Sequence, residues 1–288
     1  MGIQDLGKII TKGCETVLPY SSFSGQSIAI DTPIQICKAV AVATKTYYRS
    51  ADPMTSISHE RDIHPKIGEH IMKIAAIFER EGILPPIWVF DGRQREEKVS
   101  TCERRKRIKS TLGQKIDDLK SSLTRCPSGS EMDKLRKYQC QTLPVKSCCF
   151  EYTKMLIASR EGKILEGEYD AEELCAKLVK RGEAVAVITT DTDVLAHGAG
   201  IMIDSIVFGG FSCRFLGKML EELELTEEQF RNLCVMLGCD FNSRMKGFGQ
   251  VRCMKMIKEY HTIEKARVAL PLLDWDSLNA ERCLEIFS

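Results

Sequence analysis

The sequence predicts an α/β protein with a mostly parallel central sheet flanked by helices. Short, continuously apolar runs alternate with helical stretches, a pattern typical of parallel strands that are buried on both faces. The chain has 288 residues, 43% of them hydrophobic and 28% charged, and this balance argues against disorder. The length suits one large domain or two closely associated ones.

Three of the apolar runs are interpreted as strands, and each of them ends in an aspartate. The runs are Ser27–Asp31, Ile87–Asp91 and Ala184–Asp191. Helical patterns, including Lys66–Glu81 and Asp170–Arg181, separate these strands. Because the carboxyl ends of parallel strands form the ligand crevice of an α/β sheet, the three acids should converge at one edge.

Further acids are expected at the same edge. Asp193 follows Asp191 by two residues, Asp170 and Glu172 begin a helix, and Asp240 follows a glycine helix stop. Two like charges 4 Å apart repel by roughly 4 kcal/mol at an effective dielectric constant of 20, so an ionised cluster needs cations. Carboxylate oxygens select Mg²⁺ or Mn²⁺, and paired ions of this kind cleave phosphodiesters. Each acid taken singly is also compatible with a helix cap or a turn.

A basic segment follows Asp91 directly. The chain from Arg93 to about Lys146 is polar and lacks a strand signal, which predicts an insertion of helices. Lys98 and Arg105 are seven residues apart and are expected on one helix face. Such a charge run is often only a solvated helix face, but here it begins beside the candidate metal site, where cations could bind phosphate. The cations of its first part are Arg93, Arg95, Lys98, Arg104, Arg105, Lys106, Arg107 and Lys109.

A glycine turn joins two further predicted helices. Thr226 begins the first of them with a capping-box pattern, Gly238 ends it, and the second helix covers Val251–Tyr260. Gly247 and Gly249 lie between the helices and would let backbone N–H groups approach a phosphate closely. Taken alone, a glycine turn of this kind between helices is commonly only a turn. The flanking cations are Lys246 and Arg252.

Composition excludes several other classes of protein. No apolar run approaches the roughly 18 residues of a membrane helix, and the N-terminus lacks the apolar core of a signal peptide. The 13 cysteines include no CxxC pair and are expected to be free thiols in a reducing compartment. A protein inside the cell, with no membrane partner, is predicted.

Together these motifs resemble the XPG/flap-endonuclease family of structure-specific 5′ nucleases. The resemblance covers essentially the whole chain and implies a PIN-like core, a helical arch over the active site and a helix-two-turn-helix element that binds DNA. It implies an N-terminal nuclease region at 1–110, an arch or cap insertion at 93–146, and an internal nuclease region at 147–288 with the helix-two-turn-helix at about 226–260. The motifs are Met1-Gly2-Ile3-Gln4, Asp31, Val89-Phe90-Asp91-Gly92, Asp170-Ala171-Glu172, Thr190-Asp191-Thr192-Asp193, Leu237-Gly238-Cys239-Asp240 and Gly247-Phe248-Gly249.

The resemblance also implies roles for individual residues. Lys98 and Arg105 are expected to contact the scissile phosphate, and Asp31 and Asp91 to lie beside the attacking water. The implied metal ligands are Asp31, Asp91, Asp170, Glu172, Asp191, Asp193 and Asp240. The expected DNA contacts are Gly2, Arg93, Arg95, Arg104, Lys246, Gly247, Gly249 and Arg252.

The sequence departs from the family at several positions. Asp170 replaces the usual glutamate, and Glu168 could compete for its role. The hydroxyl ligand for a monovalent cation falls on Arg244, one residue after Ser243, so potassium binding at the helix-two-turn-helix is left open. Cys37 stands where the family often has a stacking aromatic. No sliding-clamp motif is visible.

The implied function is metal-dependent cleavage of 5′ flaps in branched DNA, with 5′→3′ exonuclease activity, in replication, repair or recombination. Two Mg²⁺ ions are expected, with Mn²⁺ able to substitute. The protein is expected to be a monomer and to act in the nucleus or at replication sites, or in a host nucleus or cytoplasm if it is encoded by a virus. The alternatives are a 5′ exonuclease, a bubble or junction endonuclease, an RNA-directed activity, a catalytically silent branched-DNA-binding protein and a small-ligand phosphatase.

Overall fold

The computed structural model describes residues 2–10, 14–50, 54–122 and 128–288. The chain forms two compact units. The first consists of Met1–Thr32, Phe78–Lys98 and Lys163–Ser288, and the second of Pro33–Ile77 and Val99–Gly162. Each unit therefore contains segments that are far apart in the sequence.

A seven-stranded sheet lies in the first unit. Its strand order is β1-β7-β6-β5-β2-β3-β4, and the five strands from β6 to β4 run parallel, while β7 and β1 add antiparallel pairings at one side. The mostly parallel sheet predicted from the sequence is confirmed. The strands are β1 (Glu15–Pro19), β2 (Ile28–Asp31), β3 (Ile87–Phe90), β4 (Lys163–Glu166), β5 (Ala186–Ile188), β6 (Ile201–Val207) and β7 (Gly210–Phe215).

The three predicted strands are the three in the middle of the parallel part of the sheet. Every residue of β2, β3 and β5 is buried, which explains their continuous apolar sequences. The strands β1 and β4 at the two edges keep exposed residues and have shorter apolar patterns, so they were not predicted from the sequence. The strands β6 and β7, which extend the sheet as an antiparallel pair, were not predicted either.

The helices of the first unit cover the sheet and carry the predicted glycine turn. In α10 the Thr226 hydroxyl accepts from the Gln229 N–H, and the Gln229 side chain accepts from the Thr226 N–H, so the predicted capping box is present. Gly238 ends this helix with a φ of 93°, a conformation that favours glycine. Helices assigned to this unit are α1 (Leu6–Ile9), α7 (Ala171–Lys180), α8 (Asp193–Ala196), α9 (Leu216–Leu223), α10 (Glu227–Leu237), α11 (Gln250–Tyr260), α12 (Ile263–Ala269) and α13 (Ala280–Phe287).

The secondary-structure elements of the second unit are all helices in the part of the chain that the structure describes. A single π-helical turn, His59–Ile63, leads into α3, and α4 packs against α5. Both α4 and α5 lie inside the insertion predicted at 93–146. The helices are α2 (Thr32–Ser50), α3 (His64–Arg80), α4 (Val99–Ser122), α5 (Gly129–Thr142) and α6 (Ser147–Ala158); the first residue of α2 and the last turn of α3 belong to the first unit.

The state of the cysteines and the apolar character of the helices can both be given for the residues that the structure describes. The twelve cysteines among them are all free thiols, as predicted, and eight of these are buried. Within the described ranges, no helix has both the length and the apolar character needed to span a membrane.

We predict that Thr226→Ala destabilises the first unit by about 1 kcal/mol, because the first turn of α10 loses the bond to its Gln229 N–H. Urea unfolding monitored by circular dichroism measures the change. Thr226→Ser keeps the hydroxyl and is the matched control, so equal losses in both variants would contradict the capping role.

Candidate metal centre

The carboxyl ends of three adjacent parallel strands bring the strand-end aspartates to one edge of the sheet. Asp31 is the last residue of β2, Asp91 directly follows β3, and Asp191 follows β5 by three residues. The Thr189 hydroxyl donates to Asp31 Oδ2 at 2.7 Å in the interior of the site. The predicted convergence of these three acids follows directly from the order of the strands.

The beginning of α7 contributes two more acids. One carboxylate oxygen from each of Asp91, Asp170 and Glu172 lies within 4.8 Å of the others. Asp91 Oδ1 accepts from the Ala171 N–H at 2.9 Å, so the first turn of α7 is tied to the end of β3. Asp91 remains open to solvent, while Asp170 and Glu172 are buried. The positive end of the α7 dipole favours negative charge at this position.

Asp191, Asp193 and Asp240 supply the rest of the predicted set. The Asp193 N–H donates to Asp191 Oδ1 at 3.2 Å, and Asp240 is buried in the loop after α10. Burial raises the pKa of the Asp191 and Asp193 carboxyls, and the nearby charge of Asp240 raises both further. Burial likewise raises the pKa of Glu172 well above its usual value. These acids therefore bind protons tightly when no cation neutralises them.

Lys98 provides a cation inside the cluster. Its Nζ lies 2.6 Å from Asp170 Oδ1 and 3.2 Å from Glu172 Oε1. Burial acts to lower the pKa of Lys98, but the charges of Glu172 and Asp170 outweigh it and raise that pKa. Lys98 ends a short 3₁₀ turn before α4 begins, so it does not share an α-helix with Arg105 as the spacing predicted.

Two of the predicted DNA contacts are engaged with acids of the first unit. Arg95 is only 6% exposed, forms an ion pair with Glu173 and lies 3.4 Å from Asp170 Oδ2. Its guanidinium also stacks over Tyr169, 3.9 Å from the ring centroid. Arg95, predicted as a DNA contact, is therefore buried and paired with acids in this structure, and its contact with DNA stays a prediction.

Arg93 binds Glu168, the residue that could compete with Asp170 as a metal ligand. Its guanidinium donates to Glu168 and to the Tyr169 hydroxyl, and both Arg93 and Glu168 are largely exposed. Asp170, in contrast, is buried and lies beside Asp91 and Glu172. The geometry therefore favours Asp170 over Glu168 as a member of the cluster.

The N-terminal segment packs against the same loop as the acids. Gly2 has a φ of 94°, and a Cβ there would lie 2.3 Å from Asp191 Oδ1. The Ile3 N–H donates to Thr192 Oγ1 at 2.9 Å, and the Gln4 N–H donates to the Gly238 carbonyl at 2.8 Å. Only glycine fits this conformation and this space, which places Gly2 beside Asp191.

The glycine turn presents accessible backbone and cations at the beginning of α11. Gly247 has a φ of 78°, Gly249 caps α11, and a Cβ at either position would meet no atom within 4 Å. Lys246 and Arg252 are exposed, and Arg252 lies over the Phe248 ring at 4.0 Å. Arg244, which stands at the position of the family's hydroxyl ligand for potassium, pairs with Asp5 at 2.6 Å.

Arg104 and Arg105 lie on α4 in the second unit. Arg104 is exposed and Arg105 is half-buried. Their helix is the most basic element of the predicted insertion, with Lys106, Arg107 and Lys109 on the following turn.

The donor set fits a hard divalent cation. Both carboxylate oxygens of Asp193 are fully buried and have no hydrogen-bond partner among the described residues. A buried ionised carboxylate without a donor is costly unless a cation neutralises it. All the candidate ligands are oxygens, which Mg²⁺ and Mn²⁺ prefer. Asp91, Asp170 and Glu172 could hold one such ion, with Asp193 near the same cluster.

Comparison with known proteins identifies relatives along most of the chain. The sequence profile of the XPG I-region matches residues 163–240. The chain is 28% identical to flap endonuclease 1 of Babesia bovis over 92% of its own length and 38% of that protein's length. It is also 28% identical to flap endonuclease 1-B of Physcomitrium patens, over 92% of this chain and 74% of that protein.

The fold has matches among solved structures as well. The flap endonuclease-1 structure from Methanococcus jannaschii aligns over 100% of this chain and 84% of that chain, with a TM-score of 0.67 and 17% identity. The PIN-like α/β fold expected from the resemblance is confirmed by this likeness. The resemblance in sequence to the XPG/flap-endonuclease family is confirmed by the profile and the relatives.

We predict that Mg²⁺ raises the melting temperature by on the order of 5 °C at about pH 8 and that this effect is lost towards acid pH. The raised pKa values of Glu172, Asp191 and Asp193 mean that the metal-free folded state binds protons more tightly than the unfolded state does. Stability without metal therefore falls as pH rises from the ordinary carboxyl pKa through the raised values, and Mg²⁺ restores it. Differential scanning fluorimetry across the pH range measures both effects.

Two variants make this experiment specific to the buried acids. Asp193→Asn should raise the melting temperature of the metal-free protein at about pH 8 and abolish the Mg²⁺ response. Asp274→Asn alters an exposed aspartate and should keep the full response. A normal Mg²⁺ response in Asp193→Asn would place the ion elsewhere.

Proposed function

We propose, from the premise that this chain resembles the XPG/flap-endonuclease family in both sequence and fold, that it is a structure-specific nuclease that cleaves 5′ flaps of branched DNA. The observation that carries the proposal is the cluster formed by Asp91, Asp170 and Glu172, three acids from two elements with oxygens within 4.8 Å of one another. The similarity to flap endonucleases over 92% of the chain supports the choice of substrate. A 5′→3′ exonuclease activity belongs to the same proposal.

We assign the seven acids to two divalent ions, Mg²⁺ or Mn²⁺. Asp91, Asp170 and Glu172 would hold one ion, and Asp191, Asp193 and Asp240 the other, with Asp31 between the two groups in sheet order. When bound, such ions lower the pKa of a water and stabilise charge on the phosphoryl and leaving oxygens. Arg244 carries positive charge where the family has a hydroxyl, so the proposal does not include potassium.

The protein's own cations complete the site. Lys98 is held by Asp170 and Glu172, a position from which its ammonium can balance charge that develops on a phosphate at the cluster. Arg105 has the same role in the proposal, supported by its place in the basic sequence of α4. Asp31 and Asp91 would orient the attacking water, and Asp91 is the ligand that remains open to solvent.

Binding of the duplex is assigned to exposed backbone and cations. The turn around Gly247 and Gly249 offers N–H groups and the side chains of Lys246 and Arg252 to a phosphate backbone. Gly2, Arg93 and Arg104 are proposed as further contacts. The helical insertion at 93–146 would admit a single-stranded 5′ end. We place the protein in the nucleus or at replication sites, where it would act as a monomer.

Cleavage assays on a panel of labelled DNAs test the proposal. The panel contains a 5′ flap, a nicked duplex, a blunt duplex, a bubble and a four-way junction, each with Mg²⁺ and with EDTA. We predict metal-dependent cutting at the flap base that falls by on the order of a thousandfold in Asp191→Asn, while flap binding in Ca²⁺ is kept. Asp274→Asn is the exposed control and should cut normally.

The alternative functions predict different cleavage patterns on the same set of DNA substrates. Preferential cutting of nicks or blunt ends would make the protein an exonuclease, and preferential cutting of bubbles or junctions would move it to those members of the family. Cleavage by Asp191→Asn at the wild-type rate would overturn the metal assignment. Tight flap binding with no cleavage of any substrate would make the protein a binding factor.

The role of the glycine turn in DNA binding is tested by a charge-matched pair of variants. Gly249→Asn and Gly249→Asp are nearly equal in size, and both residues cap helices well, so α11 should be kept. We predict that Gly249→Asp binds duplex DNA about tenfold more weakly than Gly249→Asn, because the carboxylate repels the phosphate that the turn approaches. Fluorescence anisotropy at two salt concentrations measures the difference, and equal affinities would remove this turn from the interface.

A further inference from the structure

A second group of candidate ligands lies in the helical second unit. His64 is the first residue of α3, and Cys148 and Cys149 lie in the first turn of α6. One imidazole nitrogen and the two Sγ atoms all lie within 4.8 Å of one another. The three residues come from helix starts that are 84 residues apart in the sequence, so the fold itself brings them together.

The His64 imidazole is fixed by a stacking contact, and one of its ring nitrogens has no hydrogen-bond partner among the described residues. The His64 ring stacks on Tyr152 of α6, with centroids 4.6 Å apart and planes 10° from parallel. A Cβ at Gly68 would lie 2.8 Å from the Tyr152 hydroxyl, so glycine at this point of α3 makes room for the stacked tyrosine. His64 Nε2 is buried and has no hydrogen-bond partner among the described residues. Burial of such a nitrogen is costly unless a ligand satisfies it.

The donor types differ from those of the carboxylate cluster. Two thiols and an imidazole suit a borderline or soft ion such as Zn²⁺, whereas carboxylates suit Mg²⁺. Zinc binds sulfur at about 2.3 Å and nitrogen at about 2.0–2.1 Å in tetrahedral geometry, which places ligand atoms somewhat under 4 Å apart. Closing the observed cluster to that size needs shifts of about 1 Å or less.

We propose that His64, Cys148 and Cys149 form a zinc site, with the fourth position taken by water. The site is separate from the nuclease acids in residues and in ligand chemistry, and it goes beyond the proposed cleavage activity. Its effect on the fold would be to tie the start of α3 to the start of α6. The adjacent cysteines escape a sequence search for zinc sites because they do not form a CxxC pair and their histidine partner is distant.

Metal analysis and cobalt substitution test the site. The purified, chelator-treated chain is loaded with Zn²⁺ in the presence of excess Mg²⁺, and bound zinc is counted by elemental analysis. We expect one tightly bound zinc per chain. Replacement by Co²⁺ should give a thiolate-to-cobalt absorption band in the near ultraviolet and the visible bands of tetrahedral coordination. A cobalt spectrum without the thiolate band would overturn the proposal.

Variants connect these signals to the named residues. Cys148→Ser, Cys149→Ser and His64→Gln should each weaken zinc binding by at least about a hundredfold. Cys140→Ser, which removes a half-buried thiol of α5 outside the cluster, and Asp191→Asn should leave zinc affinity unchanged. Zinc binding that survives all three cluster variants would contradict the assignment.

A ligand exchange keeps the test valid if a cluster variant folds poorly. Cys148→His should still bind Co²⁺ but with about half the thiolate band, since one of two thiolates is replaced. Circular dichroism confirms folding of each variant. If the reduced protein binds no zinc and exposure to air oxidises the two thiols to a Cys148–Cys149 disulfide, the pair belongs to redox chemistry and the metal site is rejected.

Discussion

Charge balance among buried carboxylates is the constraint on which the first unit depends. Asp191, Asp193 and Glu172 are each less than 10% exposed, and their pKa values are raised by burial. Two unit charges 4 Å apart interact by about 4 kcal/mol even at an effective dielectric constant of 20, so such a group cannot be ionised without cations. The chain supplies part of that charge through Lys98 and Arg95, and both pair with Asp170. These two cations therefore balance part of the acidic charge before any metal ion binds. The Asp193 oxygens have no hydrogen-bond partner among the described residues and are available to a metal ion.

The rest of the first unit can be understood as support for this cluster. Parallel pairing of β2 with β3 and with β5 aligns the three strand ends. The Ala171 N–H fixes the start of α7 against Asp91, and Gly2 allows the N-terminal segment to pack against Asp191 without a side chain. Each of these contacts joins residues far apart in sequence, which makes the position of the acids a property of the whole unit.

Sequence reasoning succeeded where a local pattern decides the structure and failed where a distant partner does. The buried strands and the capped helix at Thr226 follow from apolar runs and helix-start chemistry, and these were predicted. The ion pair of Arg95 with Glu173 and its contact with the Tyr169 ring, both more than 70 residues away, could not be predicted from the basic segment around Arg95. The seven-residue spacing of Lys98 and Arg105 suggested one helix, but α4 begins one residue after Lys98. The Lys98 ammonium instead donates to Asp170 and Glu172.

The carboxylate cluster and the proposed thiolate–imidazole site differ in which metal ion they select. Zinc binds most oxygen and nitrogen sites more tightly than Mg²⁺, so affinity alone does not reserve the carboxylates for Mg²⁺. A site with two thiolates and an imidazole, such as that proposed at His64, Cys148 and Cys149, binds zinc far more strongly than carboxylates do. Scarce zinc would then fill the thiolate site first, while abundant Mg²⁺ fills the acids at the edge of the sheet. Selectivity would arise from ligand chemistry in one unit and metal abundance in the other.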